Sequence, residues 1–218
     1  NLQHRALSAN SYTREDGAVV LSFDVESQAP YRSTIRGGSN QGPYKITDHK
    51  DQPFGPDDFK FNSTLNWTVY VDGSIELSSS VSSNNPSLDL ARIGYSMQVD
   101  PDYSNYTYYG RGPINNYNDR KTGQFVELHK STVKDQFVDF GKPQDMANRE
   151  DVRWAALTDA SGNGIQFVAT DRMSTSVLPW SSLDVMLAPH PYQLPASHAT
   201  YVNIDAAVVG LGGNSCGQ

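Results

Sequence analysis

The sequence predicts an all-β protein, an antiparallel β-sandwich of many strands, and three observations predict it. Strand-like runs recur along the 218 residues, whereas helical periodicity is almost absent. Asp72-Gly73 joins two such runs as a hairpin turn, the strongest local hairpin signal in the chain. Hydrophobic residues are 37% and aromatic residues 11%, enough to fill a core between sheets. All-β sandwiches of this length are often single domains, so one sandwich domain over residues 1–218 is the expectation.

Taken in order, Ala18–Val25 alternates in its second half and reads as a strand. Ser63–Val71 is rich in β-branched and aromatic residues, and Ser74–Val81 returns from the Asp72-Gly73 turn. In Leu90–Val99, Ile93, Tyr95, Met97 and Val99 share one face. Further strands are predicted at Thr132–Phe140, Asp151–Leu157, Gly164–Ala169 and His198–Ala207, with a turn over Ala160–Gly164. Gly37–Asp58 is polar and punctuated by Gly, Pro and Asp, and reads as a long loop. Only Ser181–Leu187 suits a helix, capped by Ser181 or Ser182 and stopped by Pro189 and Pro191.

Charge and cysteine content exclude several classes. The net charge is −7, with 17 basic and 24 acidic residues and no basic cluster, which argues against a nucleic-acid partner. No run of 18 apolar residues is present, so no membrane partner is expected. One cysteine, Cys216, rules out a disulfide within the chain and fits a periplasmic, secreted or cytoplasmic protein alike. Asn1-Leu-Gln-His-Arg has no apolar signal-peptide core, and the chain stops in a glycine loop. The expectation is a piece excised from a longer protein and truncated at its ends.

Tyr109-Gly-Arg-Gly-Pro-Ile-Asn-Asn-Tyr-Asn-Asp-Arg120 packs more special residues than an ordinary turn needs. Gly110 and Gly112 open backbone angles closed to other residues, and Pro113 fixes its own. The segment reads as a structural crossover held by its own hydrogen bonds, or as part of a binding site. Lys142–Trp154, Ser176–Pro195 and Asn203–Cys216 are comparable specialised stretches, which tilts the reading towards binding or docking on a partner domain.

Local chemistry signals are weak. Glycoside hydrolysis needs two facing carboxylates, and Asp119, Asp135, Asp139, Asp145, Glu150 and Asp151 are candidates in solvated-loop contexts. The five histidines, His4, His49, His129, His190 and His198, lack metal-ligand spacing, so no metal is expected. The sequence has no GxSxG, P-loop or strand-linked GxGxxG, and no cofactor is expected. Asn62, Asn66 and Asn105 match the glycosylation pattern, as chance allows in a chain this rich in Asn, Ser and Thr.

Together the loops resemble the C-terminal domain of the family 2 β-galactosidases. The match rests on an ordered series: Gly110-Arg-Gly-Pro-x-x-Asn-Tyr-x-Asp-Arg120, Val133-x-Asp-Gln, Pro143-Gln-Asp-x-x-Asn-Arg-x-Asp-Val-Arg-Trp154, Ser176-x-Leu-Pro, His190-Pro-Tyr-x-Leu-Pro195 and Asn203-Ile-Asp205 with its following glycines. The Tyr70-x-Asp-Gly hairpin and Ala91-Arg-Ile-Gly also fit, so the resemblance covers roughly residues 60–218. It implies a large antiparallel supersandwich similar to the galactose mutarotase fold. It further implies a separate TIM-barrel catalytic domain in the same full-length chain, a β-galactoside-type substrate, and no catalytic residue here. Oligomers fit the family as well.

By the same resemblance, Gln144, Asp145, Asn148, Arg149, Arg153, Ser215 and Cys216 are pocket-wall or interdomain residues. Gly110, Gly112, Pro113, Tyr117, Asp119 and Arg120 form the structural motif. The chain departs from the family at Asn115 and Asp145, each in place of Glu, at Ala147 in place of Gly, and at Cys216 in place of a sugar-stacking Trp. Ala147 costs flexibility if its position needs a positive φ. Two other functions fit the residues: a stand-alone carbohydrate-binding module using exposed Tyr and Trp, and an aldose epimerase pairing His190 or His198 with Asp145.

Overall fold

The structure, a computed structural model, describes residues 2–28, 31–38, 42–53, 55, 58–87 and 90–210. It is all-β with antiparallel sheets, as the sequence predicts, and its described helices are short. The chain divides into two compact units: Asn1–Arg36 with Ile46–Asp89, and Gly37–Lys45 with Leu90–Gln218.

The first unit carries a four-stranded sheet in the order β1 (Gln3–Thr13), β2 (Val19–Gln28), β5 (Phe61–Val69), β6 (Ile75–Ser83). Strands β3 (Tyr31–Gly38) and β4 (Gly42–Pro53) pair with each other. They occupy most of the segment expected to be a loop, because polar residues are compatible with strand pairing as well as with loops. The register Leu21↔Trp67 and Phe23↔Leu65 places apolar residues on one face, while Asp24↔Thr64 and Ser22↔Asn66 lie on the other. The Asp72-Gly73 turn forms as predicted, with Gly73 at φ 87.

The second unit holds a six-stranded sheet that positions the specialised loops. Its order is β7 (Arg92–Val99), β12 (Thr200–Val208), β11 (Gly164–Leu178), β10 (Arg149–Thr158), β8 (Asn105–Gly112), β9 (Phe125–Thr132). Tyr106, Tyr108, Val152, Ala155, Leu157, Met173, Val177 and Val202 form its buried core with Val133. The opposite face carries a cross-strand row, Leu128↔Tyr109↔Trp154↔Val168. In that row Leu128 is 54% exposed and Val168 71%.

Three expectations change here. The strand predicted at Thr132–Phe140 lies earlier, at β9, and Lys134–Gln136 is a short 3-10 turn. The first third of the Tyr109–Arg120 segment is strand rather than loop, because β8 runs to Gly112. Gly110 and Gly112 are not required for positive φ, since neither has one. They are required for space. A Cβ on Gly110 would lie 2.6 Å from Val152 Cγ2, and one on Gly112 would lie 2.2 Å from the Tyr108 hydroxyl.

The predicted helix is present as α1 (Ser182–Leu187). Ser181 caps it by accepting from the Asp184 backbone N–H, and Asp184 reaches back in a capping box. Among the described residues no helix is long and apolar enough to cross a membrane.

Candidate functional site

The second half of the Tyr109–Arg120 segment folds back onto the segment that leads into β10, and two asparagines join them. Asn116 and Asn148 are both fully buried. The Asn116 backbone N–H donates to Asn148 O at 2.8 Å, and Asn148 Nδ2 donates to Asn116 O at 2.8 Å. Asn116 Nδ2 also donates to the carbonyls of Arg111 and Ile114, and its Oδ1 accepts from the Glu150 N–H. The two loops therefore form one hydrogen-bonded body.

Carboxylates and cations are interleaved around that body. Asp145 accepts from Arg92 at 3.2 Å and from the Tyr117 hydroxyl at 2.5 Å. Burial, and then the Asp145 charge, push the Tyr117 hydroxyl above its usual range. Arg120 stacks over the Tyr117 ring at 4.0 Å and lies 3.3 Å from Asp119. Glu150 accepts from Asn148 and Ser174 and pairs with Lys121. Asp151 pairs with Arg111, Lys121 and Arg172. Burial alone would raise the Asp151 carboxyl, but hydrogen bonding to Arg111 and the surrounding cations hold it below the ordinary value.

Beside this network lies an open cleft of about 230 Å³. Asp145 and Met146 form one wall, Trp180, Val185 and Met186 another, and Tyr201 and Asn203 of β12 a third. The loop before β10 is tied to α1 by Lys142 Nζ, which donates to the carbonyls of Met186 and Ala188. Met146 Sδ accepts from the Val138 N–H at 3.2 Å. Ala147 is buried at φ 70, so the departure from Gly falls on a left-handed position. A β-branched residue suffers more there. Ala147→Val should cost about 3 kcal/mol, read as a lower urea midpoint, from backbone strain plus overpacking. A midpoint equal to the parent's would contradict this.

The sequence-predicted residues thus separate. Asp145 faces the cleft, and Gln144 beside it is half-buried. Asn148 and Arg149 turn inward: Arg149 is 4% exposed and donates to the Tyr108 hydroxyl, Gln136 and two carbonyls. Arg153 donates to Asp151 O and lies over the Tyr109 ring. Ser215 and Cys216 lie outside the described residues. Of the motif residues, Tyr117 is fully buried and Pro113 is exposed.

Neither His190 nor His198 is among the residues lining the cleft. His190 stacks on Tyr192. Sequence reasoning missed Arg92 and Asp205 as network members. Arg92 Nε lies 3.1 Å from Asp205 Oδ2, and Asp205 is 1% exposed. Both had appeared only inside short resemblance motifs, and nothing local marks them as partners.

Comparison with known proteins decides the family. The model of the family described as "Beta galactosidase small chain" matches residues 7–218. The chain belongs to that family. A β-galactosidase of Priestia megaterium is 33% identical over 154 residues, which is 71% of this chain and 15% of the relative. One from Halalkalibacterium halodurans is 30% identical over 69% of this chain and 15% of its own length. One from Lactobacillus delbrueckii subsp. bulgaricus is 34% identical over 59% and 13%. This small-chain family member therefore spans about 15% of the length of the first two relatives it matches.

Proposed function

We propose that the chain is the accessory C-terminal part of a larger glycoside hydrolase that acts on β-galactoside-type sugars. Its partner is a TIM-barrel catalytic domain of the same full-length chain, which it supports while lining the sugar pocket. All of residues 1–218 would serve as one functional domain in that assembly. One observation carries the reading: the small-chain family match runs over residues 7–218 while relatives named β-galactosidase are several times longer.

The chemistry of the site agrees with an accessory role. Asp145, Glu150 and Asp151 are each engaged by a cation, which suits a scaffold better than an acid and base facing a substrate. Asp145 and Gln144 are the wall residues of this proposal, with Ser215 and Cys216 joining them. Asn148 and Arg149 hold the loop from behind, and Arg153 serves the interdomain side.

The 218-residue chain alone should hydrolyse nitrophenyl β-galactoside no faster than buffer. Within the full-length protein, deleting residues 143–149 should lower kcat/KM by about tenfold or more through misplaced pocket walls. Turnover by the isolated chain that disappears when one of its own carboxylates is replaced would refute the proposal.

A further inference from the structure

Arg149 is a buried cation without a counter-charge. Its partners are neutral: the Tyr108 hydroxyl at 2.9 Å, Gln136 Oε1 at 2.7 Å, and the carbonyls of Ala147 and Asn148 at 3.1 Å. The neighbouring carboxylates are committed elsewhere, Glu150 to Lys121, Asp151 to Arg111, and Asp145 to Arg92. Among the described residues no carboxylate lies within ion-pair distance of Arg149. Burying a guanidinium in this way is costly unless something of opposite charge approaches it.

A second cavity, of about 120 Å³, opens against this group. Tyr108, His129, Lys130, Ser131, Gln136 and Arg149 line it. Tyr108, Gln136 and Arg149 are each at least 96% buried, so the floor is built rather than superficial. His129 Nε2 is buried and has no hydrogen-bond partner. A Cβ on Gly112 would sit 2.2 Å from the Tyr108 hydroxyl and 2.9 Å from His129 Nε2, so glycine keeps open the space that both atoms border. The Tyr108 and Ser131 hydroxyls both already accept, from Arg149 and Gln136, and each retains a proton to donate. The one acidic lining residue, Asp135, is exposed and bonded to Thr132. Donors and positive charge thus converge on a small polar cavity.

We infer that this cavity is a binding site for one oxyanion, a carboxylate or phosphate group. The group is either a free small anion or an acidic side chain from the longer protein. The inference stands independently of the sugar-pocket proposal, because the cavity shares no lining residue with the cleft.

Calorimetric titration of the 218-residue chain with sodium phosphate, and separately with sodium acetate, tests it. Ionic strength is held with a bulky sulfonate buffer. A saturable site is expected for at least one anion. Lys130→Ala should weaken it about tenfold and Asp135→Asn should tighten it. Both side chains are exposed, and circular dichroism verifies the fold of each variant. Repeating the titration on the longer protein separates the sources: continued binding means a free anion, and lost binding means an acidic side chain already fills the site. Absence of saturable heat with both anions in the folded chain overturns the inference, as does binding that neither substitution alters.

Discussion

Asn116→Ala is expected to lower the stability of the protein by about 4 kcal/mol. The side chain makes three hydrogen bonds to backbone groups, at 3.0 Å to Arg111 O, 2.9 Å to Ile114 O and 2.9 Å from the Glu150 N–H. It does so at zero exposure, where solvent cannot take over. Each buried group left unpaired costs roughly 1–3 kcal/mol. The loss should show as a lower urea midpoint with little change in slope, because the same surface is exposed on unfolding. A loss below about 1 kcal/mol would mean that water replaces the amide and that the two loops are not joined through it.

The second large effect is on pH dependence. The Asp205 carboxyl is pushed up to about 7, by burial first. Arg92 opposes the rise, while the charges of Asp145 and Glu150 add to it. Arg92 Nε lies 3.1 Å away without hydrogen-bond alignment, which explains why it does not hold the carboxylate charged. The sign follows from proton binding. Between about pH 4 and 7 the folded chain holds a proton here that the unfolded chain has released. This contribution is complete below about pH 4, falls as pH rises through that window, and is exhausted above about 7. Its upper limit is about 4 kcal/mol. Asp205→Asn should therefore reduce the difference in urea midpoint between pH 5 and pH 8. Identical differences in parent and variant would show that Asp205 ionises normally.

Legibility in the sequence followed the range of the interactions. The alternation Ile93, Tyr95, Met97, Val99 identified β7 because a half-buried strand prints its period directly. Strand β1 was illegible because nearly all of Gln3–Thr13 is exposed, so burial selects no pattern there. Strand β8 was hidden by its glycines: Gly110 makes room for Val152 of β10, and Gly112 for Tyr108 of its own strand and His129 of β9, relations that no local pattern prints. Within the candidate site, the loop carrying Asp145 could be found from its motif. Its ion pair with Arg92 and the burial of Asp205 could not, because 53 residues separate Arg92 from Asp145. The left-handed backbone of Ala147 lay between these cases: the residue departing from Gly named the position, and only the structure supplied the angle.

The row Leu128, Tyr109, Trp154, Val168 bears on how the chain behaves as a colloid. With a net charge of −7, copies repel at neutral pH and the apolar strip stays apart from its counterparts. Near the isoelectric point of about 5.1 that repulsion vanishes, and the strip becomes adhesive between molecules. The acidic arm of the Asp205 experiment falls in this region, so dilute protein and a light-scattering control belong with it. The same exposed side chains thus set the conditions under which the stability of the protein can be measured.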